Sequence, residues 1–179
     1  MRTVLWVAGM VAASLILGRA DANEVAAAQP VEMQHADADG AAAFEKLKSL
    51  VGEWDAPLPK GEVMKDIFRP IGSGSAILHE EWKNGVQLTA TVFYLVGTEL
   101  RADHYCDLGN QLHYVVAPSN DPNVVALELR DSSNLDTHPL HFHSVKWYFI
   151  DADHHTQDWE LMAPGKPAKV VRMEFTRKG

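Results

Sequence analysis

The feature that most constrains this chain is a period of two. From Gly72 onward, apolar and polar residues alternate in runs of about seven to ten, and tight-turn signals separate the runs. Lys83-Asn84-Gly85 and Gly97-Thr98-Glu99 are the clearest of these signals; DLGN, PSNDPN, DSSNLDTHP, DADH and APGKPAK follow. Alternation is what a half-buried strand requires, because successive side chains point to opposite faces. A strand near Trp54 and another over residues 63–69 bring the expected total to roughly nine. Evenly spaced short strands joined by tight turns fold as a sandwich or as an up-and-down barrel. No repeat, coiled coil or second domain interrupts them.

The same alternation sorts side chains by face. Val171, Met173 and Phe175 share one face of the last run, and Gln157, Trp159 and Leu161 share one in the run before it. Val145, Trp147 and Phe149 line one side of the run over residues 140–150, and His141 and His143 are in phase with them. Leu100 and Ala102 put His104 and Cys106 on their side. Glu80 shares a face with Ala76, Leu78 and Trp82, while Tyr94 shares one with Leu88, Ala90 and Val92, where the alternation leaves inside and outside undecided. The expected interior thus places histidines, a thiol, an amide and a carboxylate among tryptophans and phenylalanines. Polar groups persist in such a place only when partnered, so the interior is either a wet cavity or a hydrogen-bonded network.

Three chemistries compete for these residues. Residues two apart on a strand lie roughly 6.5 Å apart on one face, so His141 and His143, joined by His104, could give three nitrogens to a zinc ion with an open position. The Cys106 sulfur would favour zinc or copper over magnesium. Hydrogen bonding inside a polar interior is the commoner fate of such histidines, so no metal or other cofactor is favoured and zinc is the alternative. Cys106 with His104 could act as nucleophile and base, with Asn110 or Gln111 donating to an oxyanion. Yet a thiol ionises only beside a cation or a helix N-terminus, and a buried, inert thiol is the expectation. Gly109-Asn110-Gln111 reads as a turn. His113, His154 and His155 give weaker signals, with His154 expected at a hairpin tip after Asp151-Ala152-Asp153. Haem is not favoured, because the face of Val171, Met173 and Phe175 carries no histidine.

The first residues carry a different signal. Arg2 precedes an apolar run over residues 4–18, followed by Ala20-Asp21-Ala22. The run falls short of the roughly 20 residues of a spanning helix, and the small-x-small triplet marks a secretory signal peptide over 1–22, cleaved before Asn23. The mature chain is expected in the periplasm or outside the cell, with no insertion into a membrane. Residues 23–38 are rich in Ala, Gln and acidic residues without an apolar period, which predicts a flexible linker. Phe44, Leu47, Leu50 and Val51 then recur at helical spacing, with Asp39 as cap and Gly52 as stop. The globular domain is expected over 39–179. Without its leader the chain has 14 basic and 23 acidic residues, a net charge of −9. Such a surface repels phosphate backbones, and no basic cluster or aromatic platform offsets it, so nucleic acid is excluded as a partner. One cysteine makes no internal disulfide, so the fold must rest on its hydrophobic core.

A helix, then Gly52-Glu53-Trp54 at the head of the first strand, then an antiparallel meander resembles the lipocalin or calycin superfamily. More narrowly, HYCDLGNQ, HFHSVKWYFIDADHHTQDW and MEFTRK, over roughly residues 44–177, resemble an uncharacterised bacterial lipocalin-like family with those motifs in that order. The chain departs from the family's pattern at Tyr94 and at Leu112-His113. The resemblance implies an all-β, antiparallel up-and-down barrel of about eight to ten strands with one short N-terminal helix and an internal cavity. The expected function is binding of a small, partly apolar molecule in that cavity. Glu80, Trp82, Tyr94, His104 and Cys106 would line it from the earlier strands, and His141, His143, Trp147, Gln157 and Trp159 from the later ones. The alternative is a zinc-type protein or metal-dependent enzyme using His104, His141 and His143. Whether a reaction occurs, and in what oligomeric state, is left open by the sequence.

Overall fold

A computed structural model describes residues 36–179. The expected signal peptide, and the linker up to residue 35, lie outside the described residues. Helix α1 spans Ala36–Lys48, so its first turn takes up the last three positions expected as linker. Ten strands follow: β1 Gly52–Pro57, β2 Val63–Ile71, β3 Ala76–Lys83, β4 Val86–Val96, β5 Glu99–Tyr105, β6 Gln111–Ala117, β7 Val124–Ser133, β8 His141–Phe149, β9 His154–Met162 and β10 Lys169–Arg177. Each pairs antiparallel with the next, and β10 returns to β1, which closes the barrel. The expected all-β up-and-down barrel with one short helix is the fold observed.

Turn chemistry sets the meander. Asn84 and Gly85 both take positive φ, 53° and 77°, the two-residue geometry that matches the twist of the β3–β4 hairpin. The helix is held by its apolar stripe: Phe44, Leu47 and Leu50 are buried. Gly40 lets it sit directly on the β4–β5 turn, where an added Cβ would stand 2.3 Å from the Thr98 carbonyl oxygen and 2.6 Å from the Leu100 nitrogen. Turns alternate between ends in an up-and-down barrel, so α1 covers the end that also carries the β2–β3, β6–β7 and β8–β9 turns. At the opposite end, the Asn110 amide donates to the carbonyls of His138 (3.0 Å) and Leu140 (2.8 Å), and so draws the β7–β8 loop across the β5–β6 turn. Leu135 of that loop packs against the core.

The closing seam is short. β1 and β10 register only through Trp54 with Arg177 and Asp55 with Thr176. Arg177 reinforces it: its guanidinium donates to the carbonyls of Ser49, Val51 and Ala152, each at 2.9 Å, and lies 4.0 Å over the Trp54 ring. The Trp54 indole donates to the Leu50 carbonyl at 2.7 Å, which ties the helix exit to the same point. Inside, Trp54, Phe68, Phe93, Trp147, Trp159 and Phe175 are buried and form one core with the helix residues. No helix among the described residues is long and apolar enough to cross a membrane.

Candidate functional site

Cross-strand partners point to the same face, so the barrel interior can be read row by row. One row runs Phe68, His79, Thr91, His104 and Leu112 across β2 to β6. The next runs Trp54, Asp66, Glu81 and Thr89 across β1 to β4. From β9, His155, Gln157 and Trp159 complete the interior. All of these are buried.

Hydrogen bonds link the rows. Asp66 Oδ2 accepts from Gln157 Nε2 at 2.6 Å and pairs with His79 Nε2 at 2.8 Å. Gln157 Nε2 also lies 3.1 Å from His155 Nε2, and its carbonyl oxygen accepts from the Trp159 indole at 2.9 Å. Thr89 Oγ1 donates to Glu81 Oε2 at 2.5 Å, and Thr91 Oγ1 lies 2.7 Å from His104 Nδ1. Rings pack around this network, with Phe68 stacked on His79 at 4.1 Å, Phe93 edge-on to Trp147 at 5.4 Å and His104 tilted against Trp159 at 5.2 Å.

Burial divides the titratable groups. It disfavours charge on His79, but the Asp66 carboxylate bonded to it outweighs that and holds the imidazole above its usual value. Burial, then Asp66 beside it, pushes the Glu81 carboxyl up to about 7. His104 and His155 go the other way: burial first, then His79, pushes each down to about 3, so both are neutral.

Of the residues expected inside, His104, Trp147, Gln157 and Trp159 are there, each no more than 2% exposed. His141 and His143 are not. A β-bulge between Phe142 and Ser144 leaves His143 without a partner on β9 and reverses the phase of the strand before it. Phe142 therefore takes the inward position, 5.4 Å from the Trp159 ring, while His143 is exposed and His141 bonds the Pro139 carbonyl. The expected triad of His104, His141 and His143 is not assembled.

Glu80 and Trp82 also face outward. The inward set of β3 is Ile77, His79 and Glu81. Glu80 instead pairs with Arg69 at 2.5 Å, and Trp82 lines an external groove with Val63, Lys65 and Ile67. On β4, Thr89, Thr91 and Phe93 point in and Tyr94 points out, beside Arg101, Asp103 and His113. Cys106 lies just past β5, partly buried, its thiol pushed up to about 12 by burial. The Cys106 thiol bonds Asp107 Oδ1 at 3.7 Å and makes no hydrogen bond to His104, so no nucleophile–base pair forms there.

The residues missed are Asp66, His79, Glu81, Thr91 and His155. Their phase was readable in part: Asp66 alternates with Phe68, His79 with Ile77, and His155 with Gln157 and Trp159.

No protein family matches the chain, and no curated protein matches it. Among solved structures it is similar to the crystal structure of Rv2717c from M. tuberculosis, with a TM-score of 0.56 and 17% identity, covering 76% of this chain and 98% of that one. At that identity the likeness shows a shared barrel fold.

Proposed function

We propose that the protein is an exported binding protein that holds a small, partly apolar molecule in the barrel interior. Asp66, His79, His104 and Gln157 engage its polar group, and Phe93, Trp147 and Trp159 pack on the rest. The observation that carries this reading is a set of buried interior atoms with no hydrogen-bond partner: Asp66 Oδ1, His79 Nδ1, His104 Nε2, His155 Nδ1 and Trp147 Nε1. An unmatched buried donor or acceptor costs roughly 1–3 kcal/mol, so five in one interior favour a polar guest, and because each atom is closed off the packed side chains must part to admit one. The set mixes both kinds: the Trp147 indole can only donate and the Asp66 carboxylate can only accept. A guest with one donor and one acceptor on a flat, partly apolar frame answers both. A raised Cys106 pKa, and a thiol bonded to Asp107 rather than to a histidine, support binding over covalent catalysis.

Native mass spectrometry of the protein purified from its own host tests this reading. The expected result is one organic compound per chain, released on denaturation. Adding it back to stripped protein should quench tryptophan emission, and the Gln157→Leu variant should retain less of it. Recovery of the bare chain mass, with no change in melting temperature on adding the host's small-molecule extract, would refute the reading.

A further inference from the structure

We infer that Asp66, His79 and Glu81 form a binding site for one divalent first-row transition-metal ion, and that Gln157 and Thr89 are positioning residues for its two carboxylates. The site shares Asp66 and His79 with the small-molecule reading above but stands or falls by metal uptake alone, and it uses none of the histidines of the His-x-His strand.

Geometry comes first. Each of the three residues is buried and offers one donor atom, and these atoms lie within 4.8 Å of one another. Among the described residues no other group of three His, Cys, Asp or Glu side chains meets this test. Asp66 and Glu81 are direct partners across β2 and β3, and His79 precedes Glu81 by two residues on the same face. Zinc holds such donors at about 2.0–2.2 Å, which sets tetrahedral ligands about 3.4 Å apart. His79 Nε2 and Asp66 Oδ2, at 2.8 Å, are closer than that, so these two side chains must part slightly for an ion to enter between them.

Charge points the same way. Two carboxylates are buried here, and neither has a lysine or arginine partner: Asp66 pairs only with His79, and Glu81 is bonded by the Thr89 hydroxyl. The neighbouring Glu80, which faces outward, has Arg69. Two buried carboxylates share one imidazole as their only basic partner, and burying carboxylates is costly; a dication at this point would neutralise both.

An independent sign is Asp66 Oδ1. Asp66 is 0% exposed, and this oxygen has no partner although Oδ2 has two. Gln157 to Asp66 and Thr89 to Glu81 are the kind of supporting hydrogen bonds that orient metal-binding carboxylates. The strand irregularity at Glu81/Trp82 lies alongside, as bulges do where a side chain is re-aimed. One imidazole and two carboxylates without a thiolate suit Zn²⁺, Mn²⁺ or Fe²⁺ rather than Cu⁺. Three protein donors leave a coordination position open. Metal displaces the proton shared by His79 and Asp66, so binding should release protons.

The test is calorimetric titration of the full, chelator-stripped chain with Zn²⁺ and with Mn²⁺. It is run in two buffers of different ionisation enthalpy and repeated on protein refolded with each ion, because the site is enclosed. Expected are one ion per chain, a heat that changes with buffer, and no effect of His143→Gln. Glu81→Gln keeps the shape and the Thr89 bond, and should weaken affinity beyond the roughly 10–100-fold that losing a supporting bond costs. Thr89→Val, the second variant should Glu81→Gln not fold, should weaken it within that range. Absence of saturable uptake by both native and refolded protein would overturn the inference, as would uptake untouched by Glu81→Gln and Thr89→Val or abolished by His143→Gln.

Discussion

His104 and His155 sit in the interior with their imidazoles pushed down to about 3, by burial first and then by His79. In the unfolded chain each titrates near 6.5, so between the two values the unfolded state binds more protons. Their contribution to stability is therefore complete above pH 6.5 and falls as pH drops toward 3, by up to about 1.4 kcal/mol per pH unit for each histidine, while Glu81, held up at about 7, offsets one such slope between pH 7 and 4.5. Urea midpoints at pH 7, 5.5 and 4 should decline, and less steeply for His104→Gln, which keeps a partner for Thr91. Equal slopes would mean that His104 takes up a proton in the folded barrel. Cys106 offers a second check at this scale. With its pKa near 12, the thiolate at pH 7 is on the order of 10⁻⁵ of the population, and iodoacetamide should label the native protein far more slowly than the urea-unfolded chain. Comparable rates would show an activated thiol instead.

Strand β8 shows where alternation fails as a guide. Val145 and Trp147 point inward as their spacing says, but one extra residue at His143 reverses everything before it. A period of two records phase, yet it cannot locate an insertion, and His141 and His143 remain in apparent phase with Trp147. The consequence is measurable: His143→Ala should change stability by no more than about 0.5 kcal/mol, as for an exposed site. Phe142→Ala, against Trp159, should cost about 2 kcal/mol or more. Denaturant unfolding of the pair decides it, and the reverse order would restore the unbulged register. Strand β3 failed for a different reason. In AILHEEWK both phases carry apolar residues, and the phase that turns inward is the one holding His79 and Glu81. On β4 the inward side is led by Thr89 and Thr91, so polarity misleads there as well. Strands with one apolar phase, β5 and β9, were readable, and they delivered His104, Gln157 and Trp159. The architecture was legible because it depends on turn spacing, which survives a misread phase. The polar interior was legible only in part, because a polar residue inside a barrel imitates one outside.

For the molecule as a whole, the seam between β1 and β10 matters most. Two registered pairs, the Lys178 amide donating to the Glu53 carbonyl at 2.8 Å, and one arginine hold it. Arg177→Ala removes three backbone-directed hydrogen bonds and a cation over Trp54, and should lower stability by about 2–3 kcal/mol. Arg177→Lys should recover only part, since a lysine lacks the planar fork that reaches three carbonyls. Melting temperatures of the two variants test this, and a near-silent alanine variant would place the closing energy elsewhere. The seam also imposes an order in time. Val51 and Arg177, which it joins, are 126 positions apart. While the chain is being made, β1 has β2 on one edge and nothing on the other until the last strand has emerged. Closure is thus withheld until β10 has emerged, and a growing chain exposes an open strand edge of the kind that invites a neighbour's strand. Whatever escorts this protein before β10 is released has that edge to shield.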